Sequence, residues 1–259
     1  MFSDEFELMC GAAESKTGFL RKNPGGYVAA SVMAGAFIGF GILLAFTAGA
    51  CLDGASCTKI VMGLSFGVAL SLVVMAGAEL FTGNNMVMLA GVIERRIKVS
   101  RMICLWAICF AGNWAGAVLL SLIYSCTGLA DGAVGEFMVQ SAVMKASLDP
   151  VQLICRAVLC NMLVCLAVWC GFRCKSEAGK LIMIFWCLFA FVTTGFEHSI
   201  ANMTLLTTSL LVQTGGELTL AGYFYNIFVA ALGNIIGGTL CVALPYYVIS
   251  RKSGNKECE

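Results

Sequence analysis

The sequence has very little charge. Only 12% of its 259 residues are Asp, Glu, Lys or Arg, whereas soluble domains carry about 25% charged residues. The 16 basic and 15 acidic side chains leave a formal net charge of +1, so the chain has no basic excess for nucleic acid. With 59% hydrophobic residues and a mean hydropathy of +0.89, the composition excludes an ordinary soluble domain and predicts an all-α integral membrane protein surrounded by lipid.

Paired cysteines are also lacking. The chain has 14 cysteines, but no two of them form a CxxC pair. Four recur at every fifth residue of one apolar run, which places them around a helix rather than on one ligand face: Cys155, Cys160, Cys165 and Cys170. We therefore expect no metal site and no cofactor, and an intramembrane thiol oxidoreductase is only a distant alternative.

A cleavable signal peptide is missing as well. The first 26 residues carry Asp4, Glu5 and Glu7 before the first lysine, Lys16, and they have no short apolar core. We expect residues 1–26 to be a retained cytoplasmic segment.

Six long apolar stretches dominate the rest of the chain. They cover residues 27–50, 60–93, 102–126, 151–172, 181–212 and 221–250. In the resulting topology 13 basic residues fall on one side, Lys59 and Lys145 fall on the other, and Arg156 lies near a span end. Because cytoplasmic segments are enriched in Lys and Arg, both termini of this multi-pass protein are predicted to face the cytoplasm across the cell (inner) membrane. Residues 127–150 then form an external connection, and residues 251–259 form a cytoplasmic tail.

The second and fifth stretches are too long for one straight crossing. Each has more than 30 residues, whereas about 20 residues at 1.5 Å each span the hydrocarbon core. Breaks are predicted at residues 79–85 and 195–202, where glycine and asparagine favour turns. Unwound backbone at membrane depth is tolerated only inside protein or beside a water-filled cavity, so each break indicates a solute pathway.

The two breaks belong to an internal repeat. The motif GxExxxxN begins at Gly77 and again at Gly195, 118 residues later, and GNxxG begins at Gly112 and again at Gly233, 121 residues later. Three spans per half is an odd number, so the second half enters the membrane upside down and the broken helices meet near the midplane. The sequence predicts one channel domain, residues 1–259, with inverted three-helix repeats at 27–126 and 151–250.

These motifs resemble those of a known family. The runs GFEHSIANM at 195–203 and AELFTGN at 78–84, the late Gly-Asn at 233–234 and the six-span inverted layout resemble the formate/nitrite transporter family, which includes hydrosulfide channels. The resemblance covers essentially the whole chain. It implies an aquaporin-like protomer, a homopentamer with one pore per subunit, and transport of small monovalent anions rather than enzymatic activity. Channel and proton-coupled carrier both stay open.

His198 is the only histidine, and it lies in the second predicted break. An ionisable residue inside the membrane favours a functional role, and imidazole can donate a hydrogen bond or a proton to an anion. The alternative is a neutral ring that only bridges freed backbone groups. Thr82 lies in the opposite break, where its hydroxyl can turn to the same point or bind its own backbone. The resemblance implies that both residues line the pore.

Four further polar residues are symmetric across the repeat: Glu79, Asn84, Glu197 and Asn202. We expect them to support the breaks, with the carboxylates accepting hydrogen bonds from unwound backbone amides, because a carboxylate exposed in the pathway would repel an anion. A lone lysine such as Lys145 is usually just solvated. The resemblance implies instead that Lys145 reaches the outer vestibule, attracts anions and acts electrostatically on the histidine.

The resemblance also implies two narrow apolar constrictions flanking the histidine. The residues at those positions, which helical periodicity alone would assign to ordinary packing, are Phe66, Leu70, Leu80, Phe81, Asn161, Val164 and Phe191. A charge in such a place costs several kcal/mol, so a neutral protonated acid passes much more easily than its anion. The predicted function is a channel or transporter for hydrosulfide, formate or nitrite.

Overall fold

The computed structural model describes residues 2–251, and the secondary structure of this part of the chain is entirely helical. Lys252 and Lys256, two of the basic residues counted for the cytoplasmic side, lie outside the described residues. The helices are α1 (Ser3–Lys22), α2 (Pro24–Cys51), α3 (Thr58–Phe66), α4 (Val68–Ala76), α5 (Phe81–Ile93), α6 (Val99–Ser125), α7 (Ala133–Ala146), α8 (Pro150–Arg173), α9 (Glu177–Thr194), α10 (Ser199–Val212), α11 (Leu220–Gly238), a π-helical segment (Thr239–Ala243) and α12 (Leu244–Ser250).

Six segments are long and apolar enough to cross a membrane. They are α2, α3 with α4, α6, α8, α9, and α11 continued through α12. Local signals set where several of them begin: Pro24 and Pro150 each open a helix, and the side chains of Asn23 and Asp149 cap those helices. The chain therefore crosses six times, and both ends of the described chain lie on one face of the molecule, which we call the terminal face.

Both predicted breaks are present, but they are shorter than the sequence indicated. α4 ends at Ala76 with Gly77 (φ 77°) as its C-cap, and α5 begins at Phe81. α9 ends at Thr194 with Gly195 (φ 80°) as its C-cap, and α10 begins at Ser199. The later residues of each predicted break, 81–85 and 199–202, are helical, which corrects the expected bounds. Asn84 and Asn202 bond to the glutamates of the breaks rather than to their own backbone, so they do not interrupt the helix.

The packing repeats between the two halves. Gly116 of α6 lies so close to the carbonyl of Val32 in α2 that a Cβ would overlap it, and Gly237 of α11 has the same relation to Val158 in α8. Small residues at these positions let the helices approach closely. The shared packing and the two equivalent breaks confirm the inverted repeats.

Two helices outside the six spans are also equivalent. α1 packs on α5 at the terminal face, and α7 packs on α10 at the opposite face. The sequence analysis treated the segment containing α7 only as a connection. α1 is held by Arg96, which pairs with Glu7 and Glu14, and its inner side buries Cys10. Burial raises the pKa of the Cys10 thiol to about 12, so it is a neutral core side chain.

Candidate functional site

The two breaks meet at a single contact between side chains. Thr82, in the first turn of α5, places its Oγ1 3.1 Å from Nε2 of His198, the N-cap residue of α10. Thr82 is fully buried and His198 is 3% exposed. The structure thus joins the two polar groups that the sequence placed in opposite breaks.

The second nitrogen of the ring fixes its tautomer. Nδ1 of His198 accepts the backbone N–H of Ala201 at 3.1 Å, so this nitrogen carries no proton. The neutral ring therefore holds its proton on Nε2 and donates it to Oγ1 of Thr82. The hydroxyl hydrogen of Thr82 is then free to point at a solute, and the ring N–H becomes a second donor only when the solute replaces Thr82 as its acceptor.

Two helix N-termini face this contact. Thr82 and Ile200 occupy equivalent positions in the first turns of α5 and α10, and their backbone N–H groups have no acceptor among residues 2–251. Unpaired amides and the aligned peptide dipoles place positive partial charge at the N-terminus of a helix. The site is therefore suited to an acceptor or an anion without a buried cation.

Asn113 and Asn234 hold the breaks in place. Asn113 accepts the N–H of Phe81 at 2.9 Å and donates to the carbonyl of Glu79 at 2.8 Å. Asn234 likewise accepts from Ser199 at 2.9 Å and donates to the carbonyl of Glu197 at 3.0 Å. The sequence analysis used these asparagines only as repeat markers. Their presence in a mirrored apolar motif was the signal for a structural role.

The glutamates make different contacts from those expected. On the terminal side, the carboxylate of Glu79 accepts from Lys16 at 2.6 Å, from Asn84 at 3.0 Å and from Tyr27 at 3.3 Å. It accepts no backbone amide in the described part of the chain, because the asparagines supply that function. Lys16 of α1 was missed by the sequence analysis, since a lone lysine near a terminus gives no signal of a buried partner.

The opposite side repeats this arrangement. Glu197 accepts from Lys145 of α7 at 2.7 Å and from Asn202 at 2.7 Å, and Asn202 also donates to Asn226 at 2.8 Å. Glu197 is 1% exposed, so its charge is stabilised by these partners rather than by water. Lys145 is thus bound to a carboxylate instead of standing free.

A cavity of about 700 Å³ opens on the face opposite α1 and reaches His198. We call it the vestibule. Its charged lining residues are Asp53, Lys59, Lys145, Arg156 and Glu197. At its inner end Phe66 and Phe191 also line it, with ring centroids 5.5 Å apart, and the Phe191 ring lies nearly parallel to the imidazole, 5.9 Å between centroids. Aromatic rings therefore line the inner end of the vestibule beside His198.

The other residues assigned to constrictions lie outside the vestibule. Leu70, Leu80, Phe81 and Val164 are all buried. Asn161 is fully buried, and its amide donates to the carbonyl of Thr82 at 3.2 Å and to that of Asn234 at 2.6 Å. In this arrangement the side chain of Asn161 ties the second repeat to the first beside the central contact.

Six crossings, two mirrored breaks and a buried pair of donors at the end of a vestibule define a membrane channel or transporter for small solutes. A profile described as Formate/nitrite transporter matches residues 3–248. The chain belongs to the formate/nitrite transporter family, whose members are channels or transporters for small anions rather than enzymes.

Relatives and solved structures agree with this assignment. The chain is 39% identical over 257 residues to the nitrite transporter NirC of Salmonella typhimurium, covering 98% of this chain and 94% of the relative. It is 37% identical over 244 residues to a probable formate transporter of Methanothermobacter thermautotrophicus, covering 86% and 88%. A structure described as an FNT family ion channel superposes with a TM-score of 0.92 at 36% identity, covering 96% and 100%. A pentameric formate channel with formate bound gives 0.79 at 26% identity, covering 90% and 99%.

Proposed function

We propose that the protein conducts small monovalent anions of weak acids, with the crossing point at Thr82 and His198. The observation that carries the proposal is the donor pair, buried between two helix N-termini at the inner end of the vestibule. Nitrite, formate and hydrosulfide have the size and charge for such a site. Nitrite is the first to test, because a 39% identical relative is a nitrite transporter.

His198 acts in this proposal as a neutral hydrogen-bond donor. A second proton would have to sit on Nδ1, which faces the N–H of Ala201, so protonation would remove the cap of α10. The anion therefore receives hydrogen bonds from the ring and from Thr82, and its neutralising proton comes from water rather than from the histidine.

The aromatic pair at the end of the vestibule supports passage in the neutral form. Phe66 and Phe191 offer no hydrogen bond to an anion, and losing hydration costs a charged solute several kcal/mol. A weak acid can shed its charge before this point, whereas the anion of a strong acid cannot. Net transport is then electroneutral, because one proton crosses with each anion. This corresponds to the proton-coupled carrier of the same family, the alternative given in the sequence analysis.

The placement in the cell belongs to the same proposal. We infer that the terminal face is cytoplasmic and that the vestibule opens to the outside of the cell (inner) membrane, on the distribution of basic residues. A homopentamer with one pore per subunit is supported by the pentameric formate channel to which the chain is similar.

Flux into proteoliposomes tests the function. Nitrite, formate and hydrosulfide are compared with nitrate, which resembles nitrite in size and charge but stays ionised. We expect flux of the weak-acid anions to exceed that of nitrate by at least about tenfold, given the cost of a bare charge between apolar side chains. No flux for any of the three from correctly assembled protein would refute the function. Equal fluxes of nitrate and nitrite would refute passage in the neutral form.

A further inference from the structure

The vestibule is lined by more cationic side chains than the Lys145–Glu197 salt bridge pairs. Three cationic side chains line it, Lys59, Lys145 and Arg156, against two carboxylates, Asp53 and Glu197. Nζ of Lys145 lies 2.7 Å from Oε1 of Glu197, and that carboxylate is almost fully buried. At the distance of an approaching ion, the opposite charges of such a close pair nearly cancel. The field in the vestibule therefore comes from Lys59, Arg156 and Asp53, with one net positive charge.

Lys59 and Arg156 are available to a solute. Both residues are exposed, and within residues 2–251 neither forms a salt bridge. They come from different helices, α3 and α8, so two walls of the vestibule contribute one cation each. Free cations in a cleft with low-dielectric walls raise the local concentration of anions.

Their heights along the pathway differ. Lys59 is in the first turn of α3, at the face where the vestibule opens. Arg156 lies on the second turn of α8, and its backbone carbonyl accepts the N–H of Glu197 at 3.3 Å, which places it beside the second break. An anion that enters the vestibule thus meets Lys59 near the opening and then Arg156, whose backbone lies beside the second break.

We infer that Lys59 and Arg156 form an anion-capture site in the vestibule, distinct from the Lys145–Glu197 pair, and that Asp53 opposes it. The inference rests on the proposed function. Nitrous and formic acids are almost entirely ionised at neutral pH, so for nitrite and formate the captured species is the abundant anion. Capture delivers it to the inner end of the vestibule, where it takes up a proton from water before it reaches the central donors.

The test measures the half-saturating nitrite concentration in proteoliposomes at low ionic strength, with nitrite added on the vestibule side. The double substitution Lys59→Gln/Arg156→Gln should raise the half-saturating concentration by about three- to tenfold, because it removes the charges that concentrate the anion. The maximal flux should change much less. Asp53→Asn should lower the half-saturating concentration. The rise should shrink near 0.15 M salt, where the screening length is about 8 Å.

The matched control is Lys98→Gln/Arg101→Gln, which removes the same charge from exposed positions on the terminal face. It should leave the half-saturating concentration on the vestibule side unchanged. A second variant, Lys59→Arg/Arg156→Lys, keeps both charges and should behave like the wild-type protein.

The outcomes separate this inference from the proposed function. If the double glutamine variant and Asp53→Asn both match a wild-type protein that conducts nitrite, the capture site is refuted and the function stands. If the wild-type protein conducts none of the three anions, the function itself is refuted. A folding defect cannot imitate the result, because Asp53→Asn must change the concentration in the opposite direction.

Discussion

At the scale of single residues, the imidazole of His198 has two separable tasks. Nδ1 caps α10 by accepting from Ala201, and Nε2 donates towards Thr82 and the solute. An asparagine can perform both, because its oxygen caps a helix and its amide nitrogen donates. We expect His198→Asn to keep nitrite flux within about tenfold of wild type with the same pH profile between pH 5 and 8, since the titrating group is the solute. Uptake at a series of pH values measures this.

His198→Ala loses both tasks, so its flux should fall by more than about tenfold and the stability of α10 by about 1 kcal/mol. Thr219→Ala, which removes only the side-chain cap of α11, is the control for loss of a cap away from the path. An asparagine variant without the wild-type pH dependence would show that the histidine titrates, and the neutral-donor mechanism would then be abandoned.

Lys145 and Glu197 are a second test at the residue scale. Lys145→Met leaves a carboxylate buried without its cation, and removing one partner of a buried pair costs up to about 3–5 kcal/mol. Adding Glu197→Gln to Lys145→Met should restore most of that loss, as seen by thermal unfolding of the purified protein in detergent.

The equivalent change on the other side, Lys16→Met, should be milder. Glu79 is more exposed than Glu197, and it keeps hydrogen bonds from Asn84 and Tyr27. If Lys145→Met is no less stable than wild type, the carboxylate is protonated in the folded protein and the ion pair does not exist.

At the scale of helices, the close packing of the repeats sets a steric prediction. Gly116→Ala and Gly237→Ala each place a methyl group against a backbone carbonyl, which cannot move without its helix. We expect each to lower the unfolding temperature, because overpacking costs about 1–3 kcal/mol. Gly171→Ala, inside α8 with nothing within 4 Å of the added carbon, is the control. It should be neutral or stabilising, since alanine is favoured over glycine in a helix by about 1 kcal/mol. Equal effects of all three would contradict the packing.

The element pattern was largely predictable from sequence, because membrane spans need about 20 apolar residues and broken spans are longer. The break limits were less accurate. Propensity places asparagine in turns, but Asn84 and Asn202 have better partners in glutamate side chains and stay helical. α7 has no strong apolar stripe, and its position follows from its contact with α10, which periodicity does not reveal.

The candidate site likewise contains residues that could be predicted from sequence and residues that could not. Thr82 and His198 could be singled out because they are polar residues in the two breaks of long apolar runs. Lys16 could not, since its partner lies 63 residues away and repeat offsets are not constant. The offset is 118 at the breaks, 121 at the Gly-Asn motifs, and 126 for the carbonyls of Ala30 and Arg156, which accept from Glu79 and Glu197. Insertions between elements hide such pairs from sequence comparison.

At the scale of the whole molecule, inversion makes the two faces alike in construction but different in charge. Each face has a helix outside the spans that supplies a lysine to a glutamate in a break. The terminal face adds most of the remaining basic residues, among them Arg21, Arg95 and Lys175. We therefore expect charge rather than fold to decide which face stays in the cytoplasm.

Labelling of single cysteines in intact cells tests that orientation. Asp131→Cys and Lys175→Cys introduce thiols at exposed positions on the vestibule face and the terminal face, in a background without Cys258 and the exposed native cysteines. A membrane-impermeant maleimide should modify Asp131→Cys in intact cells and Lys175→Cys only after permeabilisation, because basic segments are retained on the cytoplasmic side. If only Lys175→Cys were modified in intact cells, the orientation in the membrane would be the reverse of the one proposed. The vestibule would then open to the cytoplasm, and Lys59 and Arg156 would draw anions from inside the cell, which would make the protein better suited to export than to uptake.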